Sequence, residues 1–407
     1  MKHPIQSSAL LAAVALWGVA CTSPVEEPGS TLPGRCQAEA PRISTQKTDI
    51  LFVIDNSGSM AEEQEAIARE LPAFLSELRQ GGGVDQDFRV GVITTSVYLN
   101  ARYDVNKPPT FEPYNDQAGR LQPVPDALGR PTAERYLEMG DANLLARFER
   151  LVKQGTGGSG QETPFEAVRL AVSEPLTTTP IAEGGNAGFL RDGARLLVVL
   201  VTDEEDCSSM ERPPPVSLTA DTSRDLCSEQ ANLLTPVAEY VRLFRNLDDG
   251  TGRPREVLWA TIGPVALSDK RAEAVPDTTP QGPVVRNVDC PTSFGPGYRQ
   301  REMASRFDVG LMNLASICRS SFRDTLVSIA TLATTSQSIA VQSLPDPLLA
   351  QVLVTRADDA VQTCSVAGGG LTYEPSTEGQ SARLYFQSSC PRRSTDKKVE
   401  IKLLCAN

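Results

Sequence analysis

The sequence predicts an α/β fold. It should be a doubly wound, mostly parallel sheet with a long insertion, followed by a small C-terminal all-β module. Three observations predict this. Short continuous apolar runs, such as DILFVI at 49–54 and RLLVVLVT at 195–202, have the character of parallel strands buried on both faces. Stretches of helical period separate these runs. After about residue 336 the helical period disappears and short strand-like runs alternate with turn residues.

The elements follow in order. After the strand at 49–54, Ile67, Leu71, Phe74, Leu75 and Leu78 fall on one helical face, with Glu62, Glu63, Glu65, Arg69, Glu70 and Glu77 elsewhere. Pro72 lies inside that helix and Gly81, Gly82 and Gly83 end it. FRVGVIT at 88–94 is a second strand. Residues 100–131, rich in Pro and Gly with weak period, are the insertion. Helices are expected over 143–152, from 164 to 172, over 233–247 and over 321–334, and a further strand over 256–262, where Trp259 is a core residue. This βα alternation implies right-handed crossovers in one sheet. The runs at 339–341, 350–355, 370–373, 382–386 and 399–404 form the β module. The domain reading is therefore a leader over 1–20, a tether over 21–47, the α/β domain over 48–335 and the module over 336–407.

The first residues have the character of an address. Lys2 precedes the apolar run ALLAAVALWGVA at 9–20, which is too short to span a bilayer. It ends at Val19, Ala20 and Cys21. That ending resembles a bacterial lipoprotein signal, in which Cys21 becomes the lipidated first residue. Gly18 departs from the pattern, since such signals usually carry Leu there. Thr22 after the Cys, in place of Asp, implies the outer membrane under the usual sorting rule. The following stretch, rich in Pro, Ser, Thr and Glu, reads as a flexible tether.

Nine cysteines fit export. With Cys21 set aside, Cys36, Cys207, Cys227, Cys290, Cys318, Cys364, Cys390 and Cys405 are an even set without a CxxC pair, so disulfides are expected rather than zinc. The expected local pairings are Cys207 with Cys227, Cys290 with Cys318, and Cys364 with Cys390 or Cys405.

Composition narrows the chemistry. The single histidine, His3, lies in the leader, which excludes Ser-His-Asp and Cys-His catalysis and histidine-ligated metals from the mature chain. A net charge of −12 argues against a nucleic-acid partner. The loop GTGGSG at 155–160 lacks a P-loop lysine and strand-to-helix placement, so no nucleotide is expected. Ser57 and Ser59 have no base to activate them, so a binding protein rather than an enzyme is expected.

The strand ends carry the chemistry that remains. In open α/β sheets ligands sit at the carboxyl ends of strands. The first strand ends at Asp55, followed by Ser57 and Ser59, and the strand at 195–202 ends at Asp203. Carboxylate and hydroxyl oxygens suit a hard cation, Mg2+, Mn2+ or Ca2+, rather than zinc or copper. The alternative for Asp55 to Ser59 is a simple helix-capping turn. Glu204, Glu205 and Asp206 read as a solvated acidic loop, with extra ligands to the cation as the alternative.

FVIDNSGSM, with VVLVTDEED downstream, resembles the metal-ion-dependent adhesion site of von Willebrand factor A domains. By that resemblance Asp55, Ser57, Ser59 and Asp203 are metal positions, and a partner's carboxylate completes the coordination. The family has a threonine on a middle loop. Here QETPFEAV puts Glu162 at that position, with Thr163 beside it, and both remain candidates. A glutamate would hold the cation more tightly and leave it less electrophilic toward a partner's acid. The resemblance covers about 48–333. It implies a lipid-anchored envelope protein that recognises an acidic protein partner through a divalent cation. The alternative is a scaffold in an envelope assembly, with the cation only stiffening the top loops.

Overall fold

A computed structural model describes residues 43–99, 112–113, 117–218, 221–280, 282–335, 337–344, 346–377, 381–393 and 395–404. The leader, Cys21, Cys36, Cys405 and most of 100–116 lie outside these residues.

The chain runs β1 (Gln46–Ile54), α1 (Ala61–Gln80), β2 (Gln86–Thr94) and a two-residue pair, β3 (Tyr98–Leu99) with β4 (Glu112–Pro113). Next come β5 (Tyr136–Glu138), α2 (Leu144–Leu151), α3 (Pro164–Ala171), β6 (Arg195–Val201), α4 (Leu226–Glu229), α5 (Val237–Arg245) and β7 (Val257–Gly263). The domain closes with the hairpin β8 (Ala274–Thr279) and β9 (Gly282–Asn287), then α6 (Tyr298–Phe307), β10 (Leu314–Ser316) and α7 (Arg323–Thr334). The module holds β11 (Ser338–Val341), β12 (Ala350–Thr355), β13 (Val361–Ser365), β14 (Leu371–Glu374), β15 (Ala382–Phe386) and β16 (Lys398–Leu403).

The architecture is mixed α/β. A six-stranded sheet has the order β10-β7-β6-β1-β2-β5, parallel except at β5, which runs antiparallel to β2. β1 is central, and its alternating side chains feed two cores. Ile50, Phe52 and Ile54 pack with residues of α1, α2 and α7, while Leu51 and Val53 pack with residues of α3, α5 and α6. Helices therefore cover both faces of the sheet, which is why β1 and β6 read as unbroken apolar runs. On the second face Trp259 stacks on Phe244 at 5.5 Å and meets Phe165 edge-on at 5.7 Å. Trp259 is buried, as its place in the strand predicts.

All five apolar residues of the α1 stripe are buried and Pro72 stays inside the helix. The predicted helix at 233–247 is shorter, with Pro236 starting α5 and a 3-10 turn before it. The later part of the insertion is packed rather than loose, since Leu121 and Val124 are buried. The hairpin β8–β9, α6 and β10 have no counterpart in the sequence reading.

The module consists of two three-stranded antiparallel sheets, β11-β15-β14 and β13-β12-β16, around one core. Ile43 bridges to Val341, so the chain passes along the module before entering β1. Disulfides join Cys207 to Cys227, Cys290 to Cys318, and Cys364 to Cys390. Of the two expected partners for Cys364, Cys390 forms the bond.

Candidate metal site

Three loops meet at the carboxyl end of the central strands. β1 delivers Asp55, whose Oδ1 accepts from the Ser57 amide at 2.8 Å and whose Oδ2 accepts from Thr202 Oγ1 at 2.6 Å. The Asp55 carboxylate thus ties the end of β1 to the end of β6. Ser57 Oγ and Ser59 Oγ lie 3.1 Å apart. The tight turn is pinned from below by Gln64 on α1, whose amide donates to the carbonyls of Asp55 at 2.8 Å and Gly155 at 2.9 Å.

The second loop is held against the first through Asn56. Its carbonyl accepts from the Gly158 amide at 2.8 Å, and its Oδ1 accepts from Ser96 Oγ at 2.8 Å. A Cβ on Gly158 would meet Asn56 Oδ1 at 2.2 Å, so only glycine allows this approach. The third loop joins through the Cys207 amide, which donates to the Glu162 carbonyl at 2.8 Å.

These contacts sort the expected residues. Asp55, Ser57, Glu162 and Asp203 are buried, and Ser59 is half-buried at the rim. Glu162 and Asp203 each feel the charges of Asp55 and Glu204. Thr163 turns away, donating its hydroxyl to the Thr95 carbonyl at 2.9 Å. Of the two middle-loop candidates, Glu162 is the one whose side chain faces the other acids.

All four carboxylate oxygens of Glu162 and Asp203 are buried without a hydrogen-bond partner. The hydroxyls of Thr95 and Ser59 ease these charges, but neither reaches the carboxylates with a hydrogen bond of full geometry. Among the described residues no Lys or Arg ion-pairs with Asp55, Glu162 or Asp203. Burial first, and then mutual repulsion, pushes the Glu162 and Asp203 carboxyls well above the usual carboxylate range. Burial also raises Asp55, against the hydrogen bonds from Thr202 and Ser57.

Buried charges are ordinarily paired or bound to a metal. A divalent cation fits this donor set of two hydroxyls and hard carboxylate oxygens. Among the described residues no three Cys, Asp or Glu side chains form a ready-made cage, so hydroxyls are needed to complete any shell.

The acidic loop after Asp203 differs from its expected solvated state. Glu205 is buried and accepts from the amides of Tyr298 at 2.7 Å and Arg299 at 3.1 Å, which caps α6. Asp206 is buried and receives Arg299 Nε at 2.7 Å. Both are structural partners of α6, an element the sequence did not reveal. Gln64 and Asn56 were also missed. A buried polar residue on the core face of an amphipathic helix is the signal that could have found Gln64.

No family model matches the chain, and no curated protein matches it. Among solved structures it is similar to proximal thread matrix protein 1 from the mussel byssus, with 14% identity and a TM-score of 0.33, over 74% of this chain and 51% of that one. It is also similar to the pilus adhesin SpaC from Lactobacillus rhamnosus GG in an open conformation, with 10% identity and a TM-score of 0.37, over 89% and 39%. The pilus adhesin RrgA from Streptococcus pneumoniae follows, with 10% identity and a TM-score of 0.29, over 89% and 57%. The chain thus spans about half or less of the first two structures it matches. These likenesses are too distant to establish a shared fold or function.

Proposed function

We propose that the chain is an exported, lipid-anchored envelope protein of the von Willebrand factor A type that binds an acidic protein partner through a divalent cation. The carrying observation is the trio Asp55, Glu162 and Asp203, buried with Ser57 near the half-buried Ser59 and, among the described residues, without a Lys or Arg ion-paired to any of them. Asp55, Ser57, Ser59, Asp203 and Glu162 would hold the ion, Mg2+ before Mn2+ or Ca2+. When bound, the cation supplies a positive centre in a chain of net charge −12, reversing the local sign that would repel an acid. The protein's own part is positional: Thr202 and Ser57 orient Asp55, and Asn56 and Gln64 lock the loops around it. The half-buried Ser59 and exposed Gly58 form the rim a partner would meet.

A second reading, a scaffold whose cation only stiffens the loops, is favoured by one observation. Glu162 and Asp203 are each 1% exposed, which shields a cation held between them from a bulky partner. Retention of a polyglutamate probe separates the readings. Mn2+-loaded chain should retain it, and EDTA or Asp55→Ala should release it. Equal retention in all three conditions, or none in Mn2+, would remove the partner-binding reading.

A further inference from the structure

The pole opposite the acidic site carries a cluster of the other sign. β1 enters the sheet at Gln46 and reaches the site at Ile54, so the two ends of one strand separate the clusters. At the entering end a cavity of about 540 Å3 lies between the start of β6, the turn before β7 and β15 of the module. Arg195, Arg253, Arg255 and Arg383 line it.

Arg195 is 1% exposed. Its Nη2 donates to Thr48 Oγ1 at 3.0 Å and to the Ala333 carbonyl in the last turn of α7, while Nε and Nη1 have no partner. The end of a helix offers partial negative charge, not a full counter-ion. Arg383 donates to Ser338 Oγ at 3.2 Å and to the Gly193 carbonyl at 3.3 Å. Among the described residues, no carboxylate forms an ion pair with Arg195 or Arg383. The carboxylates in the wall are engaged elsewhere. Glu374 receives Arg253 Nε at 3.2 Å and the Tyr385 hydroxyl at 2.7 Å. Asp249 accepts from Thr251 Oγ1 at 2.6 Å. Glu256 attracts Arg195, while Arg392 and Arg383 repel it. A buried guanidinium without a counter-ion is strongly unfavourable, and a planar fork is suited to oxyanions.

We propose that this cavity binds a phosphate-type oxyanion shared by Arg195 and Arg383, at the seam between the α/β sheet and the β module. The oxyanion could be free phosphate or a lipid headgroup. Ile43, where the described chain begins after the stretch read as a tether, bridges to Val341 on β11, the strand that also gives the cavity wall Ser338.

The test uses the mature chain with its disulfides intact, melted in sodium phosphate and in sodium chloride of matched ionic strength. A saturable rise in melting temperature in phosphate alone is expected. Arg195→Met and Arg383→Gln should each weaken the apparent phosphate affinity about tenfold or more. Without phosphate, Arg195→Met should melt no lower than wild type, because it removes an unmet charge. If that variant does not fold, Arg383→Gln at the cavity surface decides. No phosphate-specific rise in wild type, or an undiminished rise in Arg383→Gln, overturns the proposal. Sedimentation with phosphatidylglycerol vesicles, lost in Arg383→Gln, assigns the oxyanion to a lipid headgroup. A phosphate response without vesicle binding assigns it to the free ion. Asp55→Ala should leave the phosphate response intact, which separates this site from the metal site.

Discussion

Glu162→Gln should change the sign of its effect with the metal. Glutamine keeps the volume and removes the charge. In EDTA, at a pH high enough to ionise it, the wild-type carboxylate is buried with both oxygens unpartnered and with Asp55, Glu204 and Asp203 repelling it. Leaving a buried polar group unmet costs about 1–3 kcal/mol, and more when it is charged. The amide still lacks a partner, so the gain comes from the lost repulsion and the lost charge, about 2 kcal/mol. At about 2–4 °C per kcal/mol for a domain of this size, the variant should melt roughly 4–8 °C higher than wild type in EDTA. In saturating Mn2+ the order reverses. An anion in contact with a cation contributes on the order of 4 kcal/mol at an effective dielectric of about 20, so Mn2+ affinity should fall about 100- to 1,000-fold. Calorimetry with both ions and with EDTA reads both quantities. A variant that melts lower than wild type in EDTA and binds Mn2+ equally well would refute the reasoning.

Other expectations follow from the same contacts. Asp55, Glu162 and Asp203 have raised carboxyl affinities in the folded chain, so metal-free stability is fully present below the ordinary carboxylate range and is lost as pH rises through the raised values. In EDTA the chain should therefore melt higher at pH 5 than at pH 7.5, and excess Mn2+ should shrink that difference; equal melting with and without Mn2+ at both pH values would contradict it. Replacing both Cys207 and Cys227 with serine opens a loop of sequence separation 20 and should cost about 3 kcal/mol, read by urea unfolding, with weaker Mn2+ binding because the freed loop loosens the hold of the residue 207 amide on the Glu162 carbonyl. Trp259→Ala should cost about 3–5 kcal/mol by emptying the aromatic cluster, with Mn2+ affinity unchanged in the folded fraction.

The parts of the fold that could be read from the sequence are those where local pattern and tertiary role agree. β1 and β6 are buried on both faces, so their apolar runs state their position. The α1 stripe was legible because its buried face is apolar throughout, apart from Gln64. α6 was not, because its buried face holds Arg299 and Gln300 beside Met303 and Ala304. Burial there depends on Asp206, 93 residues away, which no local period can report. β8 is largely exposed and the β8–β9 hairpin contains Pro276 and Pro283, so it lacks the alternation of a half-buried strand. At the candidate site, Asp55, Ser57, Ser59 and Asp203 were legible from strand ends and spacing. The choice of Glu162 over Thr163 was not, since it turns on where one hydroxyl points.

The most direct measurement is anomalous diffraction from crystals of the mature chain grown with Mn2+. A peak is expected within bonding distance of Ser57 Oγ, Ser59 Oγ and the carboxylates of Glu162 or Asp203. A fully ordered site in Mn2+ with no peak there, and its acids paired to protein groups instead, would contradict it.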